Sequence, residues 1–157
     1  MTGQPVQARA LEWGVKQSFC NYVAMSGGTV ETGGGAERSP DGAFVFPAAP
    51  GAALERDAEG RLSGRAAFVG EVRFDAHGGM LRVALIDPAV EFGPEGAVLS
   101  VADGERRADI ARLEAPAVGE DGAIVLPALL AMAGIYLLGD HYPLNTALDP
   151  VRLVTAG

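Results

Sequence analysis

Ala66-Ala67-Phe68-Val69-Gly70-Glu71-Val72-Arg73-Phe74-Asp75-Ala76-His77-Gly78-Gly79-Met80-Leu81-Arg82-Val83-Ala84-Leu85-Ile86-Asp87-Pro88 is the most regularly patterned part of the chain. Ala66, Phe68, Val72 and Phe74 share one parity with Gly70 between them, while Glu71 and Arg73 take the other. Successive side chains leave a strand on opposite faces, so this alternation reads as one half-buried strand. Asp75 to Gly79 has turn chemistry, after which Leu81, Val83 and Leu85 resume the alternation. The stretch predicts a β-hairpin with a glycine-containing loop, and His77 stands in that loop.

Toward the C-terminus the same grammar repeats. Val90 and Phe92, the turn Gly93-Pro94-Glu95-Gly96 and Ala97 to Val101 predict a second hairpin. Asp103-Gly104 turns the chain into a strand over Arg107 to Leu113. Ala123 to Leu126 reads as a short strand stopped by Pro127, and Val151 to Thr155 as the last strand, introduced by Asp149-Pro150. Ala128 to Leu138 suits a short helix by propensity or a buried strand by hydrophobicity, and periodicity does not separate the two.

Toward the N-terminus, Ala43 to Phe46 is a short strand stopped by Pro47, and residues 48–62 read as a loop with a tight turn at Asp57-Ala58-Glu59-Gly60. Leu11, Val15, Ser18 and Tyr22 fall at i, i+4, i+7 and i+11, the spacing of one helical face. A helix is therefore expected over Leu11 to Val23, ending before Gly27-Gly28, with residues 1–10 as a polar, flexible lead-in.

The 22 glycines and 10 prolines among 157 residues argue for many turns and against a helical bundle. The expected fold is mainly β, an antiparallel two-sheet sandwich or flattened barrel with a short N-terminal helix. Residues 11–157 are read as one domain, with a core drawing on Trp13, Val15, Phe19, Phe68, Val72, Phe74, Leu81, Val83, Leu85, Val90 and Phe92.

A net charge of −8 argues against a general nucleic-acid partner, which needs a basic face. Ile124 to Gly139, the most apolar stretch, is broken by Pro127 and Gly134 and falls short of the ~20 residues a membrane helix needs. Met1 to Ala10 lacks the basic start and apolar run of a secretory signal, so a cytoplasmic protein is expected. Homo-oligomerisation is left open. The single cysteine, Cys20, forbids an intrachain disulfide, and three N/S ligands for zinc would have to be His77, His141 and Cys20 together. Neither a Gly-x-Ser-x-Gly elbow nor a phosphate-cradling glycine loop occurs. What remains is a set of polar groups in apolar company: Ser18 and Tyr22 on the first helix and His77 in the hairpin loop. Position alone leaves Tyr22 as an amphipathic core residue and His77 as a surface histidine.

Three segments, in order, alter that balance. Leu11-Glu12-Trp13-Gly14-Val15-Lys16-Gln17-Ser18-Phe19-Cys20-Asn21-Tyr22-Val23 resembles the opening of the HtaA-type haem-binding (Htaa) domain. Gly70 to Leu81, followed by Ile86-Asp87-Pro88, is similar to its middle segment. Tyr142-Pro143-Leu144-Asn145-Thr146-Ala147-Leu148-Asp149-Pro150-Val151 resembles its closing one, with Asn145-Thr146 where the family carries Gly-Thr. The resemblance spans about residues 11 to 154. It implies a domain of antiparallel strands with short helices that binds haem, with Tyr22 as the axial iron ligand, His77 hydrogen-bonded to that tyrosine and Ser18 lining the pocket.

The chemistry is consistent with that implication. A phenolate is a hard anionic ligand for ferric iron, yet free tyrosine has a pKa of ~10, so a neighbouring imidazole that takes or shares the proton assists ligation near neutral pH. Phe19, Phe44, Phe68 and Met80 are candidate neighbours of the porphyrin, and Lys16 or Arg73 candidate cations for its propionates. The leading expectation is a haem-binding protein for haem trafficking or storage. A second is a small enzyme in which Tyr22 and His77, with His141 or Asp140, act as an acid–base pair on another apolar or aromatic small molecule. A third is an interaction module without a ligand.

Overall fold

The computed structural model describes residues 4–50, 53–119, 121–138 and 142–155. In chain order the strands are β1 (Gln4–Trp13), β2 (Thr29–Gly33), β3 (Glu37–Arg38), β4 (Phe44–Pro47), β5 (Ala53–Arg56), β6 (Leu62–Ala67) and β7 (Glu71–Ala76). They continue as β8 (Leu81–Ile86), β9 (Ala89–Gly93), β10 (Gly96–Asp103), β11 (Arg106–Leu113), β12 (Ala117–Val118), β13 (Ile124–Leu130) and β14 (Ala147–Thr155). Helix α1 (Gln17–Met25) lies between β1 and β2, and α2 (Met132–Leu137) between β13 and β14.

Strand pairing is antiparallel throughout. β1, β5, β6, β9, β10, β11, β13 and β14 follow one another as hydrogen-bonded neighbours, and β14 closes the ring by bonding both β13 and β1. The result is an eight-stranded barrel-like sandwich, the flattened-barrel form of the expected mainly β fold. A separate three-stranded sheet, β2–β7–β8, carries the predicted hairpin.

Residues 4–10 are not a flexible lead-in. They are the first part of β1, whose Gln4 to Gln7 pair with β5 and whose Ala10 to Trp13 pair with β4. The alternation is hidden by a register shift between Ala8 and Ala10 in the pairing with β14. Ala8 is buried before it and Leu11 and Trp13 after it, so the inward parity flips within one strand. Leu11 and Val15 are therefore not on the helix. The chain leaves β1 through Gly14 and Val15, and Val15 adopts a left-handed φ of 63°, rare for a β-branched residue, before α1 begins at Gln17.

The run Ala66 to Phe74 is likewise two strands rather than one. Gly70 has φ 125°, and a Cβ there would stand 2.7 Å from that of Ala36, so the chain bends where glycine alone fits. β6 stays in the barrel and β7 crosses to the small sheet. The loop expected over residues 48–62 contains β5 and the start of β6, joined by the foreseen turn at Asp57. Pro127 does not end β13. It sits at the register shift between Leu126 and Ala128, where its missing N–H breaks no ladder bond. Both readings of Ala128 to Leu138 hold in part: β13 runs to Leu130 and α2 follows.

The core residues named from the sequence are buried, except Phe92, which packs against the core half-buried. Phe74 joins the layers: its ring meets Phe19 of α1 edge-on at 5.2 Å and Phe44 of β4 at 5.6 Å between centroids. Phe19 and Val23, one turn apart, are the buried residues of α1. No helix among the described residues is long and apolar enough to cross a membrane.

Candidate functional site

With Phe19 and Val23 turned inward, helical geometry sends Ser18, Tyr22 and Met25 outward along one stripe. The C-terminal end of α1 is seated on β7 through Gly28. Its N–H donates to the Val23 carbonyl at 2.9 Å, and a Cβ there would collide with the Asp75 carbonyl and with Val23 Cγ1 at 2.9 Å. Two residues beyond Asp75 the chain turns through His77, Gly78 and Gly79, all left-handed, with φ of 54°, 65° and 93°. His77 adopts this conformation at lower cost than most side chains, and the turn swings its ring back toward α1.

Tyr22 and His77 meet. Tyr22 Oη and His77 Nε2 are hydrogen-bonded at 2.6 Å, and their rings are tilted by 55° at 5.5 Å between centroids. Both are exposed, Tyr22 to 38%. Ser18 lies one turn away on the same stripe, with its Oγ 3.4 Å from Tyr142 Oη. Lys16 Nζ donates to the Ala147 carbonyl at 3.0 Å and stands 5.5 Å from the centre of the Tyr142 ring. Arg73, the other candidate cation, is paired with Glu71 on β7 at 2.9 Å.

Of the four apolar residues considered for a ligand face, Phe19, Phe44 and Phe68 are buried in the core, out of a ligand's reach. Met80 is 91% exposed just after the His77 turn, and Met25, which sequence reasoning passed over, is 88% exposed on the Tyr22 stripe. Helical spacing from Tyr22 was the signal for Met25. Tyr142 was also overlooked as a site residue, although it opens the closing segment. His141 and Asp140 lie outside the described residues.

Among the described residues, Tyr22 and His77 stand side by side at an exposed surface. The cleft lined by Gln17, Cys20, Asn21, Arg38, Asp41 and Arg152, about 310 Å³ in volume, opens on another face of α1 and includes neither Tyr22 nor His77. No group of three or more His, Cys, Asp or Glu side chains among the described residues is placed to hold a bare metal ion. One phenol backed by one imidazole suits a different case, a metal that brings its remaining ligands with it.

Fold and site together define a class: a small antiparallel β-barrel domain that displays a helix tyrosine against a hairpin histidine. The Htaa family matches residues 8–154, and the chain belongs to that family. Its fold is similar to that of the C-terminal domain of HtaA from Corynebacterium glutamicum, at 24% identity and a TM-score of 0.76, over 98% of this chain and 99% of that one. The N-terminal domain of HtaA from the same organism is similar at 22% identity and a TM-score of 0.72, over the whole of both chains. Heme binding protein HtaB, again from Corynebacterium glutamicum, is similar at 20% identity and a TM-score of 0.70, over 96% of this chain and 93% of that one. No curated protein matches the sequence.

Proposed function

We propose that this chain is a haem-binding module that holds ferric haem through Tyr22 for trafficking or storage. The observation that carries the reading is the 2.6 Å hydrogen bond between Tyr22 Oη and His77 Nε2 on an exposed surface. Family membership supports it, as does the similarity to a protein named for heme binding.

The residues present fit such a group. An iron porphyrin brings its own ring nitrogens to the metal, so one hard oxygen donor from the protein would be enough to hold it. Tyr22 supplies that donor. His77 holds the phenol oxygen in place by their hydrogen bond, and an imidazole that shares the phenolic proton would help the oxygen serve as a donor to iron. Met25 and Met80 offer polarisable apolar contact of the kind a flat macrocycle prefers. The Ser18 and Tyr142 hydroxyls, with Lys16 behind them, offer donors and a cation to carboxylates at its edge.

An acid–base enzyme built on the same pair would need a site that excludes water. The exposure of both Tyr22 and His77 favours instead a ligand large enough to cover them.

Titration of the purified protein with ferric haem, followed by its absorption spectrum, tests the reading. A Soret band distinct from free haem is expected, and Tyr22→Phe should lose or shift it. A spectrum that stays that of free haem throughout the titration would refute the proposal.

A further inference from the structure

Helix α1 has no cap of its own. Lys16 occupies the N-cap position without a side-chain hydrogen bond, and the first turn carries no acidic residue. The first N–H groups of a helix have no partner within it, and an isolated nine-residue helix is marginal in water. The missing partner comes from the far end of the chain. Asp149 of β14 accepts the Gln17 N–H on Oδ1 at 3.3 Å, across 132 residues of sequence.

The same residue grips the approach to the helix at two further points. Its N–H donates to the Val15 carbonyl at 2.9 Å, and its carbonyl accepts from Trp13 Nε1 at 2.6 Å. Val15 is fully buried and left-handed, so this junction is held in a conformation that its own residues do not favour. Gly14 completes the arrangement, because a Cβ there would overlap the Asp149 carboxylate. Trp13, Gly14, Val15 and Gln17 are thus organised around one acidic side chain and its backbone. A negative charge at this end also suits the helix dipole.

We propose that Asp149 is a positioning residue for the site, setting α1 so that Ser18 meets Tyr142 and Tyr22 meets His77. Its bearing on haem rests on the role proposed above for Tyr22; its bearing on the Tyr22–His77 contact does not. Asp149→Ala removes only the carboxylate and leaves the backbone bonds to Val15 and Trp13, so the barrel is expected to fold. Asp149→Asn keeps the Oδ1 acceptor. Gly14→Ala displaces the carboxylate without removing it and gives an independent route to the same loss.

The test has a ligand-free part and a haem-loaded part. In the ligand-free protein, hydrogen exchange at Gln17 and Ser18 should be about fivefold faster in Asp149→Ala, the scale of a lost cap. The ¹⁵N resonance of His77 Nε2 should move toward that of an imidazole without the phenol contact. In the loaded protein, the tyrosinate–iron absorption should shift and haem should leave about fivefold to tenfold faster. Asp149→Asn should restore all of these, and Gly14→Ala should reproduce the losses; if Asp149→Ala fails to fold, Gly14→Ala decides. Faster exchange with an unchanged His77 resonance and unchanged haem spectrum would overturn the proposal, leaving Asp149 a cap and nothing more. Should the native protein take up no haem, the functional reading falls, while the His77 resonance still judges Asp149.

Discussion

Tyr22 Oη and His77 Nε2 lie 2.6 Å apart although 55 residues separate them in sequence. The contact joins two elements seated on one strand: α1 packs Phe19 on Phe74 of β7, and His77 follows the last residue of β7 directly. Strand β7 thus acts as a common reference for the phenol and the imidazole.

Removing the imidazole should separate binding from folding. His77→Ala takes away an exposed side chain and its hydrogen bond to Tyr22 and leaves a Cβ in the left-handed turn, so urea unfolding should show a loss of no more than about 1–2 kcal/mol. Haem release to an acceptor such as apomyoglobin should accelerate about tenfold to a hundredfold, the usual cost of losing a partner to a ligating group. Release at the native rate would remove His77 from the site.

Gly28 and Gly27 should respond differently to alanine. At Gly27, with φ 71°, an added Cβ would meet nothing within 4 Å, so Gly27→Ala should cost about 1 kcal/mol of conformational strain and leave the site intact. Gly28→Ala pushes α1 away from the Asp75 carbonyl and should cost about 1–3 kcal/mol, as overpacking does, with weaker haem binding. Denaturant unfolding beside a haem titration compares the two, and equal effects on haem would contradict the proposed seat.

Met25 and Met80 should matter to the ligand and not to the fold. Each is largely exposed, so Met25→Ser and Met80→Ser should stay within about 0.5 kcal/mol of the native stability. Haem affinity should fall in both, measured by competition. Native affinity in the double variant would place the ligand elsewhere.

Cys20 should react slowly. Burial raises its thiol pKa, a rise opposed by the positive charge of Arg38 and the Lys16 backbone. The thiolate is the reactive form, and a raised pKa leaves less of it at any given pH. Alkylation by iodoacetamide at pH 8 should therefore be slower than for a free thiol and should gain speed only above the ordinary thiol range. Unfolding should abolish the difference, and a rate profile centred at or below that range would disprove it.

Much of the hairpin could be read from the chain because its signals are local. Alternation over Val72, Phe74, Leu81, Val83 and Leu85 and glycines after His77 need no distant partner to be recognised. The segments around Tyr22 and His77 were legible as family motifs, which is why both residues could be named together. Strand β1 was illegible for a physical reason: its bulge flips the inward parity between Ala8 and Leu11, and the spacing of Leu11, Val15, Ser18 and Tyr22 imitates a helix. Continuity misled over Ala66 to Phe74, because the bend at Gly70 is imposed by the approach of Ala36 from another part of the chain.

By itself the sequence determined the class of fold, through turn-rich composition and short alternating runs, and its family motifs singled out Tyr22 and His77 as an expected pair. Tertiary structure alone decided that these groups are exposed at the surface and that Met25 and Met80, unlike Phe19, Phe44 and Phe68, remain outside the core. It also decided how a helix without a cap begins where it does, since Asp149 reaches Gln17 only after β14 has closed the barrel beside β1. Local patterns record how each residue prefers to sit. Closure of the barrel brings residues far apart in the chain within bonding distance, and no local pattern encodes that.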